Sequence, residues 1–295
     1  MEESLGALSK SRDAPDRVVV VDSASRGPEV REVASAAGAS VVRCDLPGLG
    51  RARNAGVAVV EEDLVAFTDD DCLVDESWIG ALRRAFADPS APDFVTGEVR
   101  TDTEVHRRAW LGVSLTTATS RRRLEPGDDP RQFGHGANMA WRAPVLRGIG
   151  GFDDHMGVGS PLRAAEDVDA WWRGLRAGCH GIYEPEAVVV HRQWRSRRAA
   201  LRAYHGYGIG AGALAVKRYR LERHSQSANT TAKLLRSLVV EEGARPLLQS
   251  LRQGYQMGAV ANVVMFVGAL RGAARARQFV LFDGKFATAD GARRR

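Results

Sequence analysis

Cysteine is scarce in this chain. Cys44, Cys72 and Cys179 are odd in number and widely spaced. They form no C-x-x-C pair, which excludes a zinc-ribbon or dithiol redox motif and suits a reducing cytoplasm. Long apolar runs are missing as well, and no stretch reaches the roughly 18–20 residues of a membrane span. The first residues, Met1-Glu2-Glu3-Ser4-Leu5, are acidic and lack the basic start and apolar core of a signal peptide. There is no P-loop, no internal repeat and no low-complexity segment.

What remains is ordinary for a globular protein: 295 residues, 44% hydrophobic and 26% charged. That length accommodates one large α/β domain or two small ones. The net charge of +6, mostly from arginine, fits nucleic acid, an anionic membrane surface or a phosphorylated substrate, and selects none of them. No nucleic-acid-binding motif is present and the basic residues are scattered among acids, so no nucleic-acid partner is expected.

Short strand and helix patterns alternate along the first two thirds of the chain. Val18 to Val21 is a continuous β-branched run ending at Asp22 and reads as a strand buried on both faces. Helix Glu29–Ala37, strand Ser40–Cys44, a turn-rich loop and helix Arg51–Val60 follow. Strand Leu64–Thr68, helix Ser77–Ala87 and strand Phe94–Arg100 come next. This alternation argues for a mostly parallel sheet with helices on both faces. Arg121 to Phe133 reads as a mobile surface loop, and Ala164 to Arg176 as a helix. Val168, Trp171, Trp172 and Leu175 share that helix's apolar side, which favours core packing over sugar stacking for the tryptophans. Ala187–Val190 is a short buried strand ending at His191. Beyond Ser196 the pattern is helical and arginine-rich, and the tail from Gly284 reads as frayed. Met257 to Leu270, apolar and followed by Arg271, Arg275 and Arg277, suits either an anionic membrane interface or a packed helix.

The most telling feature is Asp69-Asp70-Asp71 at the end of Leu64–Thr68. Carboxylates so close repel one another and raise each other's pKa. A divalent cation such as Mg²⁺ or Mn²⁺ removes that cost and prefers such oxygen ligands, usually alongside substrate phosphates. A solvated acidic turn is the bland alternative. A phosphoryl-transfer enzyme is disfavoured, since Asp71 is followed by Cys72, Leu73 and Val74 rather than by a DxDx[TV]-type nucleophile loop.

An ordered set of motifs shifts the balance: VVVVDSAS (18–25), GLGRARNAG (48–56), FTDDDC (67–72), GHGANMAWR (134–142), GGFDDHMGVG (150–159), AED (165–167) and VVVHR (188–192). Together they resemble the family 2 glycosyltransferases, over about Val18 to Arg198. The resemblance implies an α/β GT-A fold, a Rossmann-like mixed sheet flanked by helices, in residues 1–198. Residues 199–295 would form a C-terminal helical extension. It further implies inverting, metal-dependent transfer of a sugar from a UDP-, GDP- or dTDP-sugar. The acceptor would be a glycan, a lipid-linked compound or a small molecule. Asp22, Arg53, Asn54, Asp69 and Asp70 would face the nucleotide. Asp71, Asp69 and His191 would hold Mg²⁺ or Mn²⁺. Asp167 would be the base that takes the acceptor proton, with Glu166 orienting the acceptor or the base. The site would lie in the cytoplasm, with a peripheral contact to the inner membrane face as an added expectation.

The chain departs from the family at its start. The usual first strand, of the type V-S-V-V-I-P, is absent, and Met1 falls within the helix that should follow it, with Leu5 and Leu8 on the apolar side. Two expectations follow: a true start upstream of Met1, or an inactive remnant that binds nucleotide-sugar without turnover.

Overall fold

The computed structural model describes residues 1–101, 116, 118–192, 194–223, 236, 248 and 256–293. The first elements are Glu2–Ser9 (α1), Val19–Ser23 (β1), Glu29–Ala36 (α2), Ser40–Cys44 (β2), Leu49–Ala58 (α3) and Leu64–Phe67 (β3). Cys72–Val74 (β4), Trp78–Phe86 (α4), Phe94–Thr101 (β5), Arg122–Leu124 (β6), Met139–Arg142 (β7) and Ala143–Gly148 (α5) follow. Glu166–Arg176 (α6), Gly181–His191 (β8), Arg197–Arg223 (α7), Gln256–Ala276 (α8), Val280–Phe282 (β9), Lys285–Ala287 (β10) and Ala289–Arg293 (α9) complete the described chain.

Two compact units emerge. The first comprises residues 1–47, 51–152 and 167–194. Its main sheet has the order β3-β7-β5-β8-β4, with β6 also on β8. Alternating side chains of β5 explain the layering. Phe94 joins Trp141, Trp171 and Leu175 on the α6 side, while Val95 joins Trp78, Leu82 and Phe86 on the α4 side. A strand covered on both faces becomes the centre of the sheet, and β5 is buried from Phe94 to Val99. Trp171 and Trp172 are buried, so they serve the core.

Within that sheet only β5 and β8 are parallel, and the other pairings are antiparallel. The expected mostly parallel sheet is therefore a mixed one. Strands β3, β5 and β8 run in one direction, and β4, β6 and β7 run against them, so the helix-strand alternation of the first 100 residues does not extend to the whole sheet. The first valine run also differs from expectation. Strand β1 pairs in parallel with β2, as a separate two-stranded sheet, and Val19, Val20 and Val21 are only half-buried. Among the described residues β1 has no strand on its other edge, and β3 pairs only with β7. Helix α1 covers part of this region through Leu5 and Leu8, which pack with Val18, Val20 and Ala34.

The segment read as a mobile loop contains β6, antiparallel to Gly181–Tyr183 of β8. Leu124 is fully buried there, and Arg121 pairs with Asp88 and Glu184. One buried leucine among charged neighbours is a weak strand signal.

The second unit holds residues 48–50, 153–166 and 195–295. Helices α7 and α8 meet through glycines: a Cβ on Gly212 would lie 1.9 Å from the Ala269 carbonyl oxygen, and one on Gly272 2.0 Å from that of Ile209. The fully buried Lys217 donates to Asp153 Oδ2 at 2.6 Å, and the same oxygen accepts the Phe286 N–H. Phe286 lies on β10, which pairs with β9 and so orders part of the tail expected to fray; residues 294 and 295 lie outside the described ones.

Candidate active site

Strand β3 delivers the aspartates to a turn that closes at once. The Cys72 N–H donates to the Asp69 carbonyl at 3.1 Å, and the Ser4 hydroxyl to the Cys72 carbonyl at 2.7 Å. The three carboxylates then diverge. Asp69 Oδ1 lies 3.3 Å from Nη2 of the buried Arg53. Asp70 is exposed. Asp71 turns toward β8, where its Oδ1 lies 3.2 Å from His191 Nε2, and its Oδ2 accepts the Trp194 indole N–H at 2.7 Å.

Arg53 also donates to the Gly136 carbonyl at 3.0 Å, while the Gly136 N–H donates to Asp167 Oδ2 at 2.7 Å. One peptide segment thus connects the Arg53–Asp69 pair to Asp167. The other Asp167 oxygen accepts the Val168 N–H at 2.8 Å, within the first turn of α6. That helix start orients the carboxylate toward the β7 edge. Glu166 lies in the second unit, buried, with its carboxylate beside Gly157.

His135 joins the two groups of residues. Its Nδ1 accepts the Ala137 N–H at 3.1 Å, which leaves the proton of the neutral ring on Nε2. The ring centroid is 5.8 Å from that of His191. Burial pushes the His135 pKa down, against the raising pull of Asp167 and Asp69. Asn138 fixes the same loop: it accepts the Trp78 indole N–H and donates to the Glu98 and Ala187 carbonyls.

Asp22 is the penultimate residue of β1 and is buried. Hydrogen bonds from Ser25, then the Arg43 guanidinium, hold its carboxyl below the usual range against the opposing effect of burial. It lines a cavity of ≈ 350 Å³ with Ser25, Arg26, Arg31 and Arg43. Asn54 exchanges hydrogen bonds with both backbone groups of Phe152, at 2.8 and 2.9 Å. Its amide therefore grips the Gly150-Gly151 turn, where both glycines have positive φ.

The structure thus gathers Asp69, Arg53 and Asp167 around Gly136, and Asp71 with His191. His135, Gly136, Cys72 and Trp194 were not assigned roles from sequence. The first three lay inside quoted motifs, but nothing local distinguished them. The donor set suits a cation: both ring nitrogens of the buried His191 lack a hydrogen-bond partner, and Asp71, Cys72 and His191 offer ligand atoms within 4.8 Å of one another. An unsatisfied imidazole beside a carboxylate fits a divalent ion. Among the described residues no helix is long and apolar enough to cross a membrane.

Residues 1–147 match the family model described as Glycosyl transferase family 2. The pre-mycofactocin glycosyltransferase of Mycobacterium tuberculosis is 31% identical over 273 residues, covering 88% of this chain and 52% of that protein. The O-antigen chain rhamnosyltransferase RfbN of Salmonella typhimurium is 25% identical over 213 residues, covering 70% of this chain and 66% of that protein. The chain spans about half the length of the mycobacterial relative. In fold it is similar to the mannosyltransferase PcManGT of Pyrobaculum calidifontis, solved with GDP-Man and Mn²⁺, with a TM-score of 0.56 and 20% identity over 92% of this chain and 82% of that one. From the family match and the mixed α/β architecture together, the chain belongs to glycosyl transferase family 2.

Proposed function

We propose that this chain transfers a sugar, with inversion, from a nucleotide-diphosphate donor to an acceptor hydroxyl, using a divalent cation. The observation that carries the reading is the path Asp69–Arg53–Gly136–Asp167, which sets an acid of the aspartate cluster and a candidate base at two ends of one hydrogen-bonded chain. Relatives named for glycosyl transfer support the same class.

Asp167 is the group assigned to the acceptor proton. Its Oδ2 is held by a single N–H from Gly136, which fixes the carboxylate without neutralising it. Single displacement leaves the sugar inverted and needs no nucleophile from the protein. Asp71 and His191 would hold the cation, Mg²⁺ or Mn²⁺, which would offset charge on the departing diphosphate. Arg53 and the Nε2–H of His135 add positive character on the same side. The cavity at Asp22 is of a size for the nucleoside end of a UDP-, GDP- or dTDP-sugar. For the acceptor, the exposed apolar stripe of α8 supports a lipid-linked compound reached at an anionic membrane surface.

Thermal-shift measurements with these nucleotide-sugars, with and without Mn²⁺, test the assignment. Stabilisation should require the ion and vanish in Asp71→Ala. Normal transfer by Asp167→Ala would refute the base. One observation favours a second reading: among the described residues β1 and β3 each pair on one side only, which would weaken the floor of the donor site. On that reading the chain binds donor but forms no product.

A further inference from the structure

Cys72 and His191 are direct partners across the antiparallel β4–β8 ladder. Directly opposed residues send their side chains to the same face of a sheet. Both are buried, His191 being 3% exposed and Cys72 fully enclosed. Asp71 Oδ1 completes a triangle, 3.2 Å from His191 Nε2 and 3.8 Å from Cys72 Sγ. All three ligand atoms lie within 4.8 Å of one another. Neither His191 nitrogen makes a hydrogen bond. A buried polar group left this way is destabilising, and an ion inside the triangle would satisfy Nε2.

We propose that Cys72 is a third protein ligand of this centre, which therefore takes a borderline-soft divalent ion, Zn²⁺ or Co²⁺, in preference to Mg²⁺. The proposal rests on Asp71 and His191 being cation ligands. Mg²⁺ takes oxygen ligands and retains several waters. A sulfur, nitrogen and oxygen set with one open position is instead suited to tetrahedral zinc. Bonds of about 2.0–2.3 Å imply ligand atoms roughly 3.5 Å apart, so only a small contraction of the triangle is needed. On binding, the thiol proton leaves to solvent and the sulfur lone pair forms the bond to the metal. Zn²⁺ and Mg²⁺ then compete for the same Asp71 and His191.

Titration of the full chain with Co²⁺, followed by absorbance, separates the two layers of this reading. Visible cobalt bands together with a near-ultraviolet sulfur-to-cobalt charge-transfer band are expected. The charge-transfer band should persist in Cys44→Ser and Cys179→Ser, and be lost in Cys72→Ser while the visible bands remain. Visible bands without charge transfer in the wild-type protein would overturn Cys72 as a ligand and leave Asp71 and His191 in place. No cobalt spectrum at all would remove the cation centre itself. Because Cys72 is enclosed, a second measurement uses unmodified protein: equilibrium dialysis of Co²⁺ against Mg²⁺. Cobalt should be retained against at least a 100-fold excess of Mg²⁺, and displacement at equal concentrations contradicts the proposal.

Discussion

Gly136 stands so close to Asp167 that no side chain fits between them: a Cβ at residue 136 would lie 2.8 Å from Asp167 Oδ2, and equally close to Arg53 Nη2. In Gly136→Ala the carboxylate and the guanidinium must both withdraw. A displacement of about 1 Å at a reacting group can cost roughly 100-fold in rate. We expect kcat to fall by about that factor while Co²⁺ binding at Asp71 persists. Unchanged turnover would mean that Gly136 does not position Asp167.

Asp167→Asn keeps an acceptor for the Gly136 N–H and removes only the ability to take a proton. Loss of a general base costs typically about 10²–10⁴-fold. Calorimetry should show donor binding within a few-fold of wild type, and product assays a fall of that size. A KM effect alone would place Asp167 in acceptor binding rather than in proton transfer.

These residues differ in how far the sequence disclosed them. The aspartates announce themselves because three like charges end one apolar run, and local chemistry suffices. Trp171 and Trp172 were legible as core from helical spacing. Cys72 and His191 are 119 positions apart, and only the β4–β8 register makes them neighbours. The tautomer of His135 is set by a backbone N–H two residues on, which no side-chain pattern encodes. Asn54 shows the reverse case. Its motif points to the nucleotide, whereas its amide is engaged by the Phe152 backbone. The valine run of β1 was misread as fully buried because apolar content reports what covers a strand's faces. It carries no information on whether both edges are paired.

Helix α8 leaves Val260, Val263, Val267 and Leu270 exposed at spacings of three and four, so they form one stripe. Arg271 and Arg277 are exposed just beyond it. Vesicle flotation should show binding to anionic but not to zwitterionic bilayers. Val263→Asp with Val267→Asp should weaken it at least about 10-fold, given roughly 1.5–3 kcal/mol per fully buried valine. Equal flotation of the double variant would dissociate the stripe from membranes.

Asp153 and Lys217 provide the stability test, since both side chains are fully buried and lie 2.6 Å apart. Burial alone would raise the Asp153 pKa. The Lys217 charge, the His155 hydrogen bond and the Phe286 N–H more than reverse this, holding the carboxyl well below the ordinary range. With the folded pKa depressed, the pair's stabilisation is fully present above the unfolded value of about 4. It is lost as pH falls toward the folded pKa. Lys217→Met removes the main attraction and leaves a buried carboxylate, which costs about 3–5 kcal/mol. Tm at pH 7 should therefore drop by about 10 °C. The variant should also lose less stability than wild type as pH falls from 5 to 3, because without the Lys217 charge the folded pKa is no longer held so far below the unfolded one. Asp153→Asn removes the titrating group, so its Tm should be lowered throughout, with a shallower acid slope. Wild type and Asp153→Asn with identical slopes between pH 5 and pH 3 would show that Asp153 does not carry the acid sensitivity of the second unit.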